Sequence, residues 1–150
     1  FSAPVVSDTA ALHGLIEALL DALPASSLRV LRDPTRGGLA TTLNEIARQS
    51  GVGMFLYEAA IPVHAAVAAA CELLGLDPLY VANEGKLVAI CAPDAGDALL
   101  SALRAHPLGS EAAIIGQVLA DDQCFVQMQT RLGGRRMVDW LTGEQLPRIC

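Results

Sequence analysis

Three stretches of this 150-residue sequence carry side chains able to do chemistry: Asp33-Pro34-Thr35-Arg36-Gly37-Gly38, Asn83-Glu84-Gly85-Lys86, and the closing Pro147-Arg148-Ile149-Cys150. A thiol is nucleophilic only as its thiolate. At Cys150 the terminal carboxylate disfavours that form and Arg148 favours it, so the sequence leaves its reactivity open. Leu141 to Arg148 contains Gly143 and Pro147 and has neither helical nor strand period. It reads as a flexible arm carrying a sulfur, residues 141–150, or else as an incidental cysteine on a frayed chain end.

The Asp33 to Gly38 stretch joins a strand pattern to a helix pattern. Helix N-termini present free N–H groups and a partial positive charge, which suits phosphate. Two glycines allow close backbone approach, and the Arg36 guanidinium offers a fork for phosphate or carboxylate. No Gly-Lys-Ser/Thr follows, so this is not a Walker A loop. The plainer alternative is a strand–helix turn with Thr35 as helix cap. Asn83 to Lys86 sets an amide, a carboxylate and an amine at the mouth of a strand. That group could serve general acid–base work, or be an exposed turn.

His13, His64 and His106 share no spacing with a cysteine or acidic partner, and no Ser-His-Asp set can be assembled. Cys71, Cys91, Cys124 and Cys150 form no CxxC and no metal-ligand pattern. Cys71 falls on a helical stripe, Cys91 and Cys124 fall in strand patterns, and buried free cysteine behaves as a small hydrophobe. Free thiols point to a reducing compartment, the cytoplasm.

The elements that must position these groups follow from periodicity. Ser7 and Asp8 are candidate caps for a first helix with Leu12, Leu15, Ile16, Leu19 and Leu23 on one stripe. Leu28 to Leu31 is a strand, and a second helix from about Leu39 to Ser50 ends at Gly51. Val52 to Tyr57 is a strand. Pro62 opens a third helix with Val63, Val67, Cys71 and Leu74 inward. Leu79 to Ala82 is a short extended piece, and Lys86 to Ala92 reads as a strand covered on both faces. A fourth helix spans Asp94 to Ala105, with Leu99, Leu100 and Leu103 inward. Ala113 to Leu119, Cys124 to Thr130 and Arg135 to Trp140 are strands, the last two a hairpin across Gly133-Gly134. The order predicts an α+β domain over residues 1–140, a mixed β-sheet covered by helices.

Composition sets the outer bounds. A chain of this length buries roughly 68–70% of its unfolded surface. Apolar residues make up 53% and charged residues 17%, the reverse of a disordered chain. The net charge of −6 argues against nucleic acid, which asks for a basic face. No apolar run reaches the length of a membrane span. The first residues lack the basic start of a signal peptide. With no initiator Met, the expectation is a piece of a longer protein or a processed one.

Arg32-Asp33-Pro34-Thr35-Arg36-Gly37-Gly38-Leu39, then Asn44-Glu45-Ile46-Ala47, then Asn83-Glu84-Gly85-Lys86 and the terminal Pro147-Arg148-Ile149-Cys150 together resemble the C-terminal half of the HypE family of hydrogenase expression/formation proteins. That family is similar to aminoimidazole ribonucleotide synthetase, selenophosphate synthetase and thiamine monophosphate kinase. The likeness runs over essentially the whole chain, and its Pro-Arg-Ile-Cys ending is the family-specific part. It implies an aminoimidazole ribonucleotide synthetase C-terminal-domain-like fold. It also implies that an N-terminal domain, not in this sequence, holds most of the ATP and Mg site.

The resemblance implies a chemistry as well. A carbamoyltransferase, HypF, loads a carbamoyl group onto the terminal cysteine, here Cys150. ATP-dependent dehydration turns it into a thiocyanate. The cyanide then passes to iron held by a HypC–HypD complex, as a ligand of the nickel–iron hydrogenase centre. In that scheme Glu84 is the candidate base and Asp33, Thr35, Arg36, Gly37, Gly38, Asn83 and Lys86 serve the nucleotide phosphates, with no metal ligand in this chain. The full-length protein would be a homodimer, and the fragment alone inactive. Three rivals remain: a non-catalytic dimerisation or docking domain, another ATP-using enzyme of the same superfamily, and a redox sensor using Cys150, which needs a resolving thiol in reach.

Overall fold

The computed structural model describes residues 6–24 and 26–141. Beyond Leu141, the expected arm and its Cys150 lie outside the described residues. Along the chain run α1 (His13–Ala22), β1 (Leu28–Arg32), α2 (Gly38–Ser50), β2 (Gly53–Tyr57), α3 (Ala65–Leu74), β3 (Val88–Cys91), α4 (Gly96–Ala105), β4 (Gly116–Leu119), β5 (Val126–Gln129) and β6 (Arg135–Met137), with short 3-10 turns between some of them. The α+β expectation holds, but the strands form two sheets. β1 and β3 make an antiparallel ribbon, and β4-β2-β5-β6 make a mixed sheet in which β2 and β5 are parallel and the outer pairs antiparallel. The expected final hairpin is β5–β6.

α2 organises the core. Its apolar positions recur at helical spacing, so Ala40, Leu43, Ile46 and Ala47 are all buried. They pack with Met54 and Leu56 of β2, Val126 and Met128 of β5, Val138 beyond β6 and Val88 of β3. Burying a side chain of this size stabilises by about 1.5–3 kcal/mol. Gly51 ends α2 at φ +64, as expected, and Val52 N–H returns to the Ala47 carbonyl at 3.0 Å. Asn44 is buried on the same helix. Its amide donates to the Ala40 carbonyl at 2.9 Å and to the Val138 carbonyl at 2.8 Å, tying α2 to the strand end beyond β6. A smaller cluster lies where α1 meets α4, around Leu15, Leu19 and Leu99.

Several boundaries differ from expectation, each for a local reason. α1 starts at His13 behind an uncapped Leu12. Ser7 is bonded to Thr9, and Asp8 is drawn to Lys86. α3 starts at Ala65, three residues after Pro62, and buries only Cys71, while Leu74 is 66% exposed. Leu79 to Ala82 is not extended. Asp77 caps a 3-10 turn, Pro78–Tyr80, by accepting from Leu79 N–H at 2.9 Å, and Pro78 presets its first position. β3 is paired on one side by β1, and only Val88 of it is buried. Cys124 lies ahead of β5 in a turn, at φ +56.

Candidate functional site

The Asp33 to Gly38 loop leaves β1 and enters α2. Gly37 (φ +71) and Gly38 (φ +62) turn it through the left-handed region. Gly38 N–H donates to the Thr35 carbonyl at 3.1 Å, and the Gly37 carbonyl accepts the first helical bond, from Thr41 N–H, at 3.2 Å. Thr35 therefore closes the turn through its backbone; Gly37 takes the cap position and no side chain caps the helix. The first turn of α2 carries no acidic residue, so its positive end is uncompensated by the helix itself. Beneath Gly37, the buried Thr41 hydroxyl has no hydrogen-bond partner among the described residues.

Gly38 was expected to admit a ligand to the backbone. Instead the chain's own backbone fills that space. A Cβ at Gly38 would stand 2.5 Å from the Leu79 carbonyl oxygen and 2.6 Å from that of Val81. The same segment leads into the second stretch. Asn83 N–H donates to the Pro34 carbonyl at 3.1 Å, and the Asn83 amide donates to the Val81 carbonyl at 2.8 Å. The loop and the Asn83 to Lys86 turn are thus neighbours, held together by backbone.

Glu84 is exposed at this junction, and its carboxylate makes no hydrogen bond or ion pair among the described residues. Lys86 is engaged: its Nζ lies 3.7 Å from Asp8 Oδ2. Gly85 has no room for a Cβ, because the Asp8 carbonyl lies against it. Asp33 is exposed and 3.6 Å from Arg32, whose guanidinium also donates to Glu45 on α2 at 3.0 Å. Arg36 is exposed on the same loop. Cys150 lies outside the described residues.

Asp8 and the Leu79–Val81 segment are the parts of this site that sequence reasoning missed. Gly85 was the available signal for the first and Asp77-Pro78 for the second. A separate concavity of about 260 Å³ is lined by Ile61, Val63, Cys71, Leu79, Met128 and Arg136 among others, and contains none of the expected site residues. Among the described residues no three His, Cys, Asp or Glu side chains gather into a metal cradle. No described helix is long and apolar enough to cross a membrane.

Comparison with known proteins bears on the fold and the family. Residues 2–129 match the family described as AIR synthase related protein, C-terminal domain. Over 150 residues the chain is 67% identical to the carbamoyl dehydratase HypE of Azotobacter vinelandii, covering 100% of itself and 43% of that protein. It is 68% identical to the carbamoyl dehydratase HypE of Cupriavidus necator, covering all of itself and 42% of that protein. The chain therefore spans less than half the length of these curated relatives. Its structure superposes on a crystal structure of the hydrogenase maturation protein HypE with a TM-score of 0.91 at 49% identity, covering 100% of this chain and 48% of that one. On a HypE crystal structure in complex with ATP the TM-score is 0.89 at 49% identity, with 100% and 45% coverage. On HypE in a HypE–HypF complex it is 0.87 at 42% identity, with 94% and 45% coverage.

Proposed function

The chain belongs to the AIR synthase related family through the C-terminal domain of that family, and on that premise we propose that it is the C-terminal domain of an ATP-dependent carbamoyl dehydratase of hydrogenase maturation. The observation that carries this reading is the 67% identity with a carbamoyl dehydratase over an alignment that includes every residue through Cys150.

In this reading the Cys150 sulfur receives a carbamoyl group from a HypF-type carbamoyltransferase. The carbamoyl oxygen is a poor leaving group until it is phosphorylated from ATP. Both N–H protons then leave to base, the carbon–nitrogen bond becomes triple, and the oxygen departs in inorganic phosphate. The adduct has lost one water, ATP has become ADP, and Cys150 carries a thiocyanate. Its cyanide passes to iron on a HypC–HypD-type scaffold.

Two features of the site support the assignment of roles. Glu84 is an exposed carboxylate with no partner among the described residues, which is what a proton acceptor needs. The uncompensated start of α2, with Thr35, Arg36, Gly37 and Gly38 around it, suits phosphate oxygens. Asn83 holds the two stretches together, Asp33 and Lys86 set the charge at their rims, and Mg belongs with the remainder of the longer protein. We place that protein in the cytoplasm, as a homodimer, with residues 1–140 as one domain and 141–150 as the arm that delivers the sulfur between partners.

The test is the intact mass of the longer protein after incubation with the transferase, carbamoyl phosphate and ATP. The expected result is a carbamoyl adduct on the terminal peptide that loses one water only when ATP is present. Cys150→Ala should keep the fold and take no carbamoyl group. An unmodified Cys150 beside an active transferase would overturn the reading. The 150-residue chain alone is expected to bind little or no ATP in a calorimetric titration.

A further inference from the structure

Glu84 stands between pinned neighbours. On one side Asn83 N–H donates to the Pro34 carbonyl at 3.1 Å, and its side-chain amide donates to the Val81 carbonyl at 2.8 Å. On the other side the pinning groups come from the segment ahead of α1. The Asp8 carbonyl and the Ala10 N–H lie directly over Gly85. A Cβ there would run into the Asp8 oxygen and stand 2.8 Å from the Ala10 nitrogen. Unlike Gly37 and Gly38, Gly85 has no left-handed φ, so space alone calls for glycine at this position. The next residue, Lys86, brings its Nζ within 3.7 Å of Asp8 Oδ2. Within the segment, Ser7 Oγ donates to Thr9 Oγ1 at 3.0 Å and accepts from Thr9 N–H at 3.3 Å, which closes a local turn around Asp8. Helix capping does not account for Asp8, because α1 begins at His13 with no side-chain cap.

We propose that Asp8 is a positioning residue for the dehydration step: its backbone, laid on Gly85, and its carboxylate, paired with Lys86, hold the turn from which Glu84 projects. This deepens the reading given above and rests on Glu84 as the proton acceptor.

The physical reason is the small freedom of the backbone. Each residue has only two soft dihedral angles. With residues 83, 85 and 86 held by contacts from two separate parts of the chain, residue 84 has little choice of φ and ψ. The direction in which its side chain leaves the backbone is then fixed before any substrate arrives. Such preorganisation is worth much to a proton acceptor, since a displacement of about 1 Å can slow a reaction about 100-fold. The Asp8–Lys86 pair is solvent-exposed and holds little by itself. The backbone contact at Gly85 does most of the holding. The segment ahead of α1 is therefore part of the site, although it carries none of the reacting groups.

The test uses the longer protein, incubated with the transferase, carbamoyl phosphate and ATP, while the mass of its terminal peptide is followed in time. Gly85→Ala should slow the loss of water at least about tenfold, and Asp8→Ala about threefold or more. The gain of the carbamoyl group and the half-saturating ATP concentration should not change. Asp8→Glu should restore the wild-type rate. In a Glu84→Gln background neither variant should slow the reaction further, because groups that act through one residue are not additive. A merely structural contact would slow that background by the same factor as the wild type, and this result overturns the proposal. So does a wild-type rate of water loss in both Gly85→Ala and Asp8→Ala. If Gly85→Ala does not fold, Asp8→Ala and its behaviour in the Glu84→Gln background decide. A wild-type Cys150 that takes no carbamoyl group overturns the underlying reading, and this proposal with it.

Discussion

Asn83 and Pro34, far apart in the chain, are joined by a backbone hydrogen bond of 3.1 Å. This bond brings the two loops together. It sets Glu84 next in the chain to a residue bonded to the loop that enters α2, and it depends on Gly38, which lets the Leu79–Val81 segment run directly over the helix entrance.

Gly38→Ala should therefore cost about 2 kcal/mol or more, since a Cβ at φ +62 is strained and points at two carbonyl oxygens. A urea melt would show the loss. Amide exchange at Asn83 should also quicken, because its bond to Pro34 sits on the displaced segment. Unchanged exchange at Asn83 would show that the two loops do not depend on this glycine.

In the longer protein, Glu84→Gln should leave carbamoylation of Cys150 intact and slow the ATP-dependent loss of water by about 100-fold or more, the scale of a general base. Mass spectrometry would then find the carbamoyl adduct accumulating. Dehydration at the wild-type rate would remove Glu84 from the chemistry.

Asn44→Ala should destabilise the chain by about 1–3 kcal/mol, because the buried Val138 carbonyl loses its donor. Thermal and chemical melts should agree on the direction. A neutral result would mean that water replaces the amide.

Tyr80 gives a pH signature. Burial raises its phenol above the ordinary value of 10.0, and Asp77 adds to the rise while Arg136 opposes it. The folded chain then holds this proton when the unfolded chain has begun to lose it. The contribution is fully present below pH 10.0 and is lost as pH rises through the folded value. Cys91 acts in the same sense above 9.0, through burial and then Asp94. Tyr80→Phe should lower stability by about 1 kcal/mol near neutrality, by losing the bond to the Asp139 carbonyl. It should also flatten the alkaline decline of denaturation midpoints, and an unchanged alkaline slope would contradict the assignment.

The legible parts of this molecule were those written in local pattern. α2, its Gly51 stop, the turn at Asn83 to Gly85 and the final hairpin all follow from spacing and turn chemistry. Of α3, the helix, its Gly75 stop and the buried Cys71 were legible, but its inward face was not, because Ala65 to Leu74 is apolar almost all round and offers no contrast between faces; Leu73 and Leu74 ended in solvent. Asp8 looked like a helix cap within its own neighbourhood, and only a distant lysine reveals its use. Gly38 and Gly85 were legible as places of close approach. That the approaching groups are the chain's own carbonyls is tertiary information, which spacing along the sequence does not contain.

The strand order has a consequence for how the molecule is made. β2 lies inside the four-stranded sheet, yet both its neighbours, β4 and β5, are encoded much later in the chain. During synthesis Met54 and Leu56 leave the ribosome long before β4 and β5, their partners in the sheet, and closing such long loops is slow. α2, made immediately before that strand, packs on it through the same core. The helix that the Asp33 to Gly38 loop enters is thus also a shield that keeps a nascent, sticky strand from finding the wrong neighbour.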